Sequence, residues 1–132
     1  MTLVDTNVLL DIVTDDPVWA DWSIAQLEAA SLTGPLYIND VVYAELGIRY
    51  ERIEHLDHFV AQAGIEILPI PRSALFLAGK AFAQYRKSGG TRTGILPDFF
   101  IGAHAAVGRL PLLTRDEGRY RTYFPTVSLI CL

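Results

Sequence analysis

Five short apolar runs alternate with longer helical stretches in this sequence, and this alternation constrains the fold more than any other feature. The runs are mostly bounded by Gly, Pro, Asn or Thr, and they cover 2–5, 36–38, 65–68, 110–114 and 127–130. Runs of this length and character predict strands that are buried on both faces. Because strands alternate with helices, we expect an α/β protein, a three-layer α/β/α sandwich around a parallel sheet.

Helical periodicity fills the intervals between the runs. Behind Pro17, apolar side chains recur at helical spacing and predict a buried helix face made of Val18, Trp22, Ala25, Ala29 and Leu32. The same pattern after Pro71 predicts a face made of Leu75, Ala78, Phe82 and Tyr85. The stretch DFFIGAHAAVG (98–108) is apolar nearly all round, so it predicts a central, buried helix.

Length and composition narrow the class of protein. A chain of 132 residues, 51% of them hydrophobic, has the size of one compact domain, and neither an internal repeat nor a linker divides residues 1–132. No apolar run approaches the ~20 residues that span a bilayer. The N-terminal segment lacks the basic start of a signal peptide, and Cys131 is a single cysteine. We therefore expect a cytoplasmic protein without membrane contact.

Charge is distributed unevenly along the chain. Residues 1–66 hold 12 acidic and 2 basic side chains, whereas residues 67–132 hold 9 basic and 3 acidic ones. Halves of opposite sign can place a cationic rim beside an anionic pocket, so a net charge of -4 does not exclude a polyanionic substrate. Solvated helix faces would account for the same pattern.

Three aspartates lie where predicted strands end or a predicted helix begins. Asp5 follows the first predicted strand, Asp116 follows the fourth, and Asp98 begins the buried helix after Pro97. In open α/β sheets, ligands bind beyond the carboxyl ends of the strands. Each of these acids is also suited to cap a helix N-terminus, so each alone has a purely structural explanation.

A fourth acid, Glu45, falls on an otherwise apolar helix face. It lies one helical turn from Val41, Val42 and Ile48, in a helix that Asn39 or Asp40 can cap. A carboxylate there needs a cation, a proton or strong donors, and Arg49 at i+4 is one alternative partner. Several carboxylates that converge would repel one another unless a divalent cation lay between them. Oxygen-only ligands favour Mg²⁺, for which Mn²⁺ can substitute.

Four stretches of the sequence resemble the PIN domain family, specifically its VapC-type toxins. They are LVDTNVLLDI (3–12), VVYAEL (41–46), LPDFFIGAHA (96–105) and LLTRDEGRYRTYFP (112–125). The resemblance implies a five-stranded parallel sheet in the order 3-2-1-4-5. It also implies a metal-dependent endoribonuclease that forms a homodimer. A cognate VapB-like antitoxin would neutralise it within a heterotetramer or larger complex.

The resemblance also assigns site residues by position. Asp5, Glu45 and Asp98 match the three principal acids of the family, and Asp116 matches its more variable fourth. All four are expected to be catalytic and to hold metal, directly or through water. Asn7 and Thr114 match polar positions that support them. On this route a metal-activated water hydrolyses the RNA phosphodiester, so the products carry 5′-phosphate and 3′-hydroxyl ends.

Substrate phosphates would need cations around these acids. The candidates from the basic half are Arg86, Lys87, Arg92 and Arg115, followed by Arg119 and Arg121. Each has a structural alternative, such as pairing of Arg119 with Glu117 or Asp116. Four aromatic side chains, Trp19, Trp22, Tyr43 and Tyr120, suit either base stacking or core packing. His104 lies about 120° around the helix from Asp98, which indicates a core-edge histidine.

Two other functions fit parts of the same pattern. A phosphatase or phospho-acceptor domain also gathers acids and Mg²⁺ at strand ends, but it usually places a lysine there as well. Lys80 falls within a predicted helix and Lys87 behind it. A binding module whose acids merely cap helices is the second alternative.

Overall fold

The structure, a computed structural model, describes residues 1–92 and 94–131. Over these residues the chain forms five strands and seven helices. In chain order they are β1 (Thr2–Val4), α1 (Thr6–Val13), α2 (Ala20–Ser31), β2 (Leu36–Asn39), α3 (Asp40–Gly47), α4 (Ile53–Gln62), β3 (Ile65–Leu68), α5 (Arg72–Lys87), α6 (Leu96–Gly108), β4 (Leu112–Leu113), α7 (Gly118–Tyr123) and β5 (Leu129–Ile130).

The strands form one parallel sheet in the order β3-β2-β1-β4-β5. Leu3 of the central strand pairs with Tyr37 on one side and with Leu112 on the other. This confirms both the α/β class and the strand order 3-2-1-4-5. Because every neighbouring pair is parallel, the carboxyl ends of all five strands meet at one edge of the sheet.

The predicted strands are confirmed, with small differences in length. β3 has the predicted bounds, whereas β4 is confined to Leu112–Leu113 within the predicted 110–114. Pro111 has no N–H to extend the ladder, which accounts for the late start of β4. In β1, three consecutive side chains, Thr2, Leu3 and Val4, are all buried. Alternate side chains point to opposite faces, so helices must cover both faces of the sheet.

Helix α6 lies at the centre of the core, as predicted. Six of its residues are buried, and the Phe99 ring is fully buried among the aromatic side chains of Phe82, Tyr85, Tyr123 and Phe124. His104 is also buried, and its Nδ1 accepts a hydrogen bond from the Asn39 amide. The prediction of a core histidine is therefore confirmed.

The predicted face of α2 is wrong. The helix begins at Ala20, so Pro17 precedes it, and Val18 and Leu32 lie outside it with highly exposed side chains. The buried residues are Ala20, Ser23 and Ala30. Small side chains let α2 approach α1 closely, and Ser23 is held there by a hydrogen bond to Asp11, so packing at this interface selects against the larger apolar residues.

In the part of the chain that the structure describes, no helix combines the length and the apolar character required to cross a membrane.

Candidate functional site

Parallel pairing brings the four acids to the same edge of the sheet. Asp5 directly follows β1, and Asp116 lies in the segment between β4 and α7. Glu45 lies in α3, which follows β2 without a loop, and Asp98 lies in the first turn of α6. Three of the acids thus follow a strand, whereas α6 follows α5, and the charge interactions of Asp98 with the other three acids place its first turn at the same edge.

Asp5 is buried and receives hydrogen bonds on both carboxylate oxygens. The backbone N–H of Thr6 donates to Oδ1 at 2.7 Å, so Asp5 does cap α1. The hydroxyls of Thr114 and Tyr120 donate to Oδ2 at 2.7 Å and 2.9 Å. With two short donors on Oδ2 and one on Oδ1, the free acceptor capacity of this carboxylate lies mainly on Oδ1.

Among the ion pairs of residues 1–92 and 94–131, none supplies a cation to Asp5. The pKa of this carboxyl is raised from 3.8 to about 7, chiefly by burial and also by the negative charge of the nearby Asp98 carboxylate. The hydrogen bonds from Thr114, Tyr120 and Thr6 lower the pKa but do not offset burial. The ionised form of such a carboxyl is strongly stabilised by a cation beside it.

Glu45 is half-buried and is linked to Asp5 through a single residue. The Thr6 hydroxyl donates to Glu45 Oε1 at 2.6 Å, while the Thr6 N–H binds Asp5. Asn39 caps α3 by accepting hydrogen bonds from two N–H groups of its first turn, as the sequence suggests. Among the ion pairs of the described residues, none joins Glu45 to Arg49, so the alternative partner is not used.

Asp98 lies in the third position of α6 and is not its cap. The cap position is Ile95, whose side chain makes no capping hydrogen bond, so the capping explanation for Asp98 is wrong. The carboxylate instead pairs with the guanidinium of Arg119. Burial raises the pKa of Asp98, Arg119 lowers it, and the negative charges of Glu45 and Asp116 raise it.

Asp116 is the most exposed of the four acids. Its backbone N–H donates to the Thr114 hydroxyl at 3.0 Å, and α7 begins at Gly118 with Glu117 at the cap position, so Asp116 does not cap it. Asn7 ties this segment to α1, because its Oδ1 accepts the N–H of Arg115 and its amide lies 3.4 Å from Thr114 Oγ1. Asn7 and Thr114 thus connect the segment of Asp116 to Asp5 and α1.

The chemistry of this donor set fits a hard divalent cation. All four side chains offer only oxygen, and the electrostatic effects join Asp98 to each of the other three acids. Within residues 1–92 and 94–131, however, no three His, Cys, Asp or Glu side chains are already gathered at ligating distances. The four carboxylates therefore do not form a closed set of ligands in this structure.

Among the predicted phosphate-binding residues, Arg115 already forms an ion pair within the chain. Its guanidinium makes two hydrogen bonds to the buried Asp11, at 2.7 Å and 2.9 Å, and lies over the Trp19 ring. Any contact with phosphate would have to compete with this ion pair. Three others are exposed: Arg86 and Lys87 end α5, and Arg92 follows them. In the described parts of the chain, none of the ion pairs connects these three to the acids.

The sequence did not assign two contacts of α7. Tyr120 is a buried core residue, as its structural alternative predicted, but its hydroxyl also donates to Asp5. Arg119 pairs with Asp98, not with the Glu117 or Asp116 that precede it. No local spacing signals either contact, because the partners lie more than 20 residues away.

The lysine that a phosphatase or phospho-acceptor domain would use is not at this edge. Lys80 lies in the middle of α5, with its ammonium over the ring of Phe76, and Lys87 is the last residue of that helix. These positions do not favour that alternative.

Comparison with known proteins gives both a family match and structural matches. The family model described as PIN domain matches residues 2–125.

Three solved structures are similar over nearly the whole chain. VapBC2 from Rickettsia felis, bound to a DNA fragment from its promoter, has 20% identity and a TM-score of 0.75, with 99% of this chain and 98% of that chain covered. FitAcB from Neisseria gonorrhoeae has 22% identity and a TM-score of 0.69, with 98% and 96% covered. DNA-bound VapBC from Salmonella typhimurium has 17% identity and a TM-score of 0.71, with 99% and 98% covered. At these identities the likeness is one of fold. No curated protein matches the chain in sequence.

Proposed function

The chain belongs to the PIN domain family, and from that membership we propose that it is the toxin of a toxin–antitoxin pair. As a single PIN domain, it would act as a metal-dependent endoribonuclease that hydrolyses RNA phosphodiester bonds. Its catalytic residues would be Asp5, Glu45, Asp98 and Asp116, supported by Asn7 and Thr114. Mg²⁺ is the proposed cofactor, and Mn²⁺ the ion that can replace it.

The observation that carries this proposal is the state of Asp5. It is a buried carboxyl with neutral donors and a negatively charged neighbour, and its pKa is raised to about 7. The ionised form of such a group lowers the stability of the fold, and a divalent cation beside it would supply the missing counter-charge. The matching positions of the other three acids support the same interpretation.

Each residue then has a defined task. Asp5 would hold the ion through Oδ1, because Thr114 and Tyr120 occupy Oδ2. Asp98 would be the second direct ligand. Glu45, oriented by the Thr6 hydroxyl, and the exposed Asp116 would hold a second ion or the attacking water. When bound, the metal supplies a lowered pKa for water and neutralises charge that develops on the phosphate.

The proposed partners follow from the similar structures. The first and third of these structures are VapBC proteins bound to DNA, and the second is a FitAcB protein. We propose that this chain forms a homodimer in the cytoplasm. A VapB-like antitoxin would hold it inactive, within a heterotetramer or a larger assembly.

The direct test is cleavage of total RNA by the purified, antitoxin-free protein in Mg²⁺ and in EDTA. Asp98→Asn should lower Mg²⁺-dependent cleavage by on the order of 10²–10³-fold, because it removes a direct ligand. Asp21→Asn is the matched control, since Asp21 also lies in the first turn of a helix but is exposed on α2. It should cleave like wild type.

Mapping of the cut ends tests the chemistry. Products with 5′-phosphate and 3′-hydroxyl ends are expected, whereas 2′,3′-cyclic phosphates would contradict attack by water. Undiminished cleavage by Asp98→Asn would exclude the ligand role. A protein that is folded and binds metal but never cuts RNA would favour the binding module.

A further inference from the structure

Arg119 is the side chain that supplies positive charge to the acidic edge. Among the ion pairs of the described residues, its pair with Asp98 is the one that involves any of the four acids. The contact is partly shielded from water, with 19% of the Arg119 side chain and 31% of the Asp98 side chain exposed. The guanidinium therefore lies against the carboxylate that is proposed to bind metal.

The position of Arg119 is fixed by its neighbour. Tyr120 is 2% exposed and donates its hydroxyl to Asp5, so it anchors α7 at the same site. Consecutive residues of one helix thus contact two of the four acids. The backbone of Arg119 therefore stays beside the site while Tyr120 stays in the core.

A guanidinium and a divalent cation compete for the same carboxylate. Asp98 loses much of its interaction with Arg119 when it turns to a metal ion, whereas the guanidinium keeps its positive charge. It then needs another anion within reach. The flat, forked guanidinium matches the geometry of a phosphate, which the substrate brings to this point.

We propose that Arg119 neutralises Asp98 until metal binds and then pairs with a phosphate of the RNA backbone. This inference rests on the proposed function. It assigns the phosphate contact to a residue beside the acids. Of the other basic candidates, Arg115 is held by Asp11, Arg121 pairs with Glu117 at an exposed position of α7, and the rest lie on α5 or in the segment after it.

The first consequence concerns metal affinity and does not depend on activity. Calorimetric titration of the full chain with MgCl₂ should show about three- to tenfold tighter binding for Arg119→Gln than for wild type, because the competing cation is gone. Arg121→Gln is the matched control: it removes the same charge from the same helix, at an exposed pair with Glu117. It should bind Mg²⁺ like wild type. Equal or weaker binding by Arg119→Gln would overturn the competition.

The second consequence concerns RNA. Binding of a labelled oligoribonucleotide is measured across a salt series in Ca²⁺, which accepts the same oxygen ligands in a looser geometry. Loss of one phosphate contact should lower the slope of log affinity against log salt by about 0.7 in Arg119→Gln. Arg121→Gln should keep the wild-type slope, and Arg119→Lys, which retains the charge, should stay close to it. An unchanged slope in Arg119→Gln would overturn the phosphate contact.

The two proposals can fail separately. A folded wild-type protein that takes up neither Mg²⁺ nor Mn²⁺ would contradict the proposed function itself. Normal metal uptake and RNA cleavage by wild type, with Arg119→Gln indistinguishable from Arg121→Gln in both assays, would overturn only the role of Arg119. Urea unfolding in EDTA shows that each variant is folded before it is titrated.

Discussion

Asp5 and Asp11 lie at the two ends of helix α1, and both are almost completely buried, at 4% and 3% exposed. Asp11 is fully compensated: Arg115 donates two hydrogen bonds to it, and the Ser23 hydroxyl donates a third at 2.7 Å. Asp5 receives neutral donors only, and its pKa is raised. Two carboxylates with equal burial on one helix therefore have opposite electrostatic surroundings.

This difference separates a structural acid from a candidate functional one. Burial by itself marks neither, since both side chains are buried to the same degree. What distinguishes them is whether the fold supplies a counter-charge of its own. At Asp11 the counter-charge is part of the chain, whereas at Asp5 it has to come from outside.

The largest expected effect on stability comes from removing the ion-pair partner of Asp11. Arg115→Leu would leave the buried Asp11 carboxyl without its counter-charge and with Ser23 as its remaining side-chain donor, so the free energy of unfolding should fall by about 3 kcal/mol. Urea unfolding measures the change. If instead this variant is as stable as wild type but has lost RNA affinity, Arg115 is a phosphate-binding residue and the comparison fails.

At Asp5 the change in the free energy of unfolding should have the opposite sign. Asp5→Asn removes a buried charge and can still accept the Thr6 N–H, so in EDTA at about pH 8 the free energy of unfolding should rise by about 1–2 kcal/mol. The same substitution should abolish the stabilisation that Mg²⁺ gives to wild type. A loss of stability in EDTA would mean that Asp5 is a structural acid like Asp11.

The pH dependence sharpens this test. Because the pKa of Asp5 is raised from 3.8 to about 7, the folded protein holds this proton more tightly than the unfolded chain. Without metal, its contribution to stability is complete below pH 3.8 and is lost as the pH rises through about 7. The advantage of Asp5→Asn should therefore grow between about pH 4 and about pH 7 and then stay constant. An advantage independent of pH would exclude ionisation as its cause.

The smallest effect is expected from the hydroxyl of Tyr120. Tyr120→Phe keeps the buried ring but removes one donor to Asp5, and Thr114 remains on the same oxygen, so the free energy of unfolding should fall by only about 1 kcal/mol. Tyr123→Phe, on the same helix, is the control. A loss equal to that of Arg115→Leu would show that neutral donors compensate Asp5 as fully as a cation compensates Asp11.

Much of this site was predictable because each acid is tied to a local signal. Asp5 and Asp116 follow apolar runs that could only be strands, and Asp98 opens a stretch too apolar to lie anywhere but the core. Parallel pairing then brings strand ends together whatever the loops do. Glu45 was marked by its place on an otherwise apolar helix face, and the resemblance added the strand order that the structure confirms.

The partners of these acids were not predictable in the same way. Arg115 was expected at the phosphate and instead binds Asp11, 104 residues away in sequence. The face of α2 was misassigned because Ser23, a polar residue, is buried to donate to Asp11. Periodicity averages over hydrophobicity, so it cannot find a polar side chain that is buried for one particular hydrogen bond.

The sequence by itself determined the class of fold, the strands and the acids at their ends, because these depend on local periodicity and on the geometry of parallel sheets. Only the tertiary structure decided which acid is neutralised and which is not. Charge compensation depends on distances between side chains that are far apart in the chain. Arg115 reaches Asp11, Arg119 reaches Asp98 and Tyr120 reaches Asp5 only once β4 has paired beside β1.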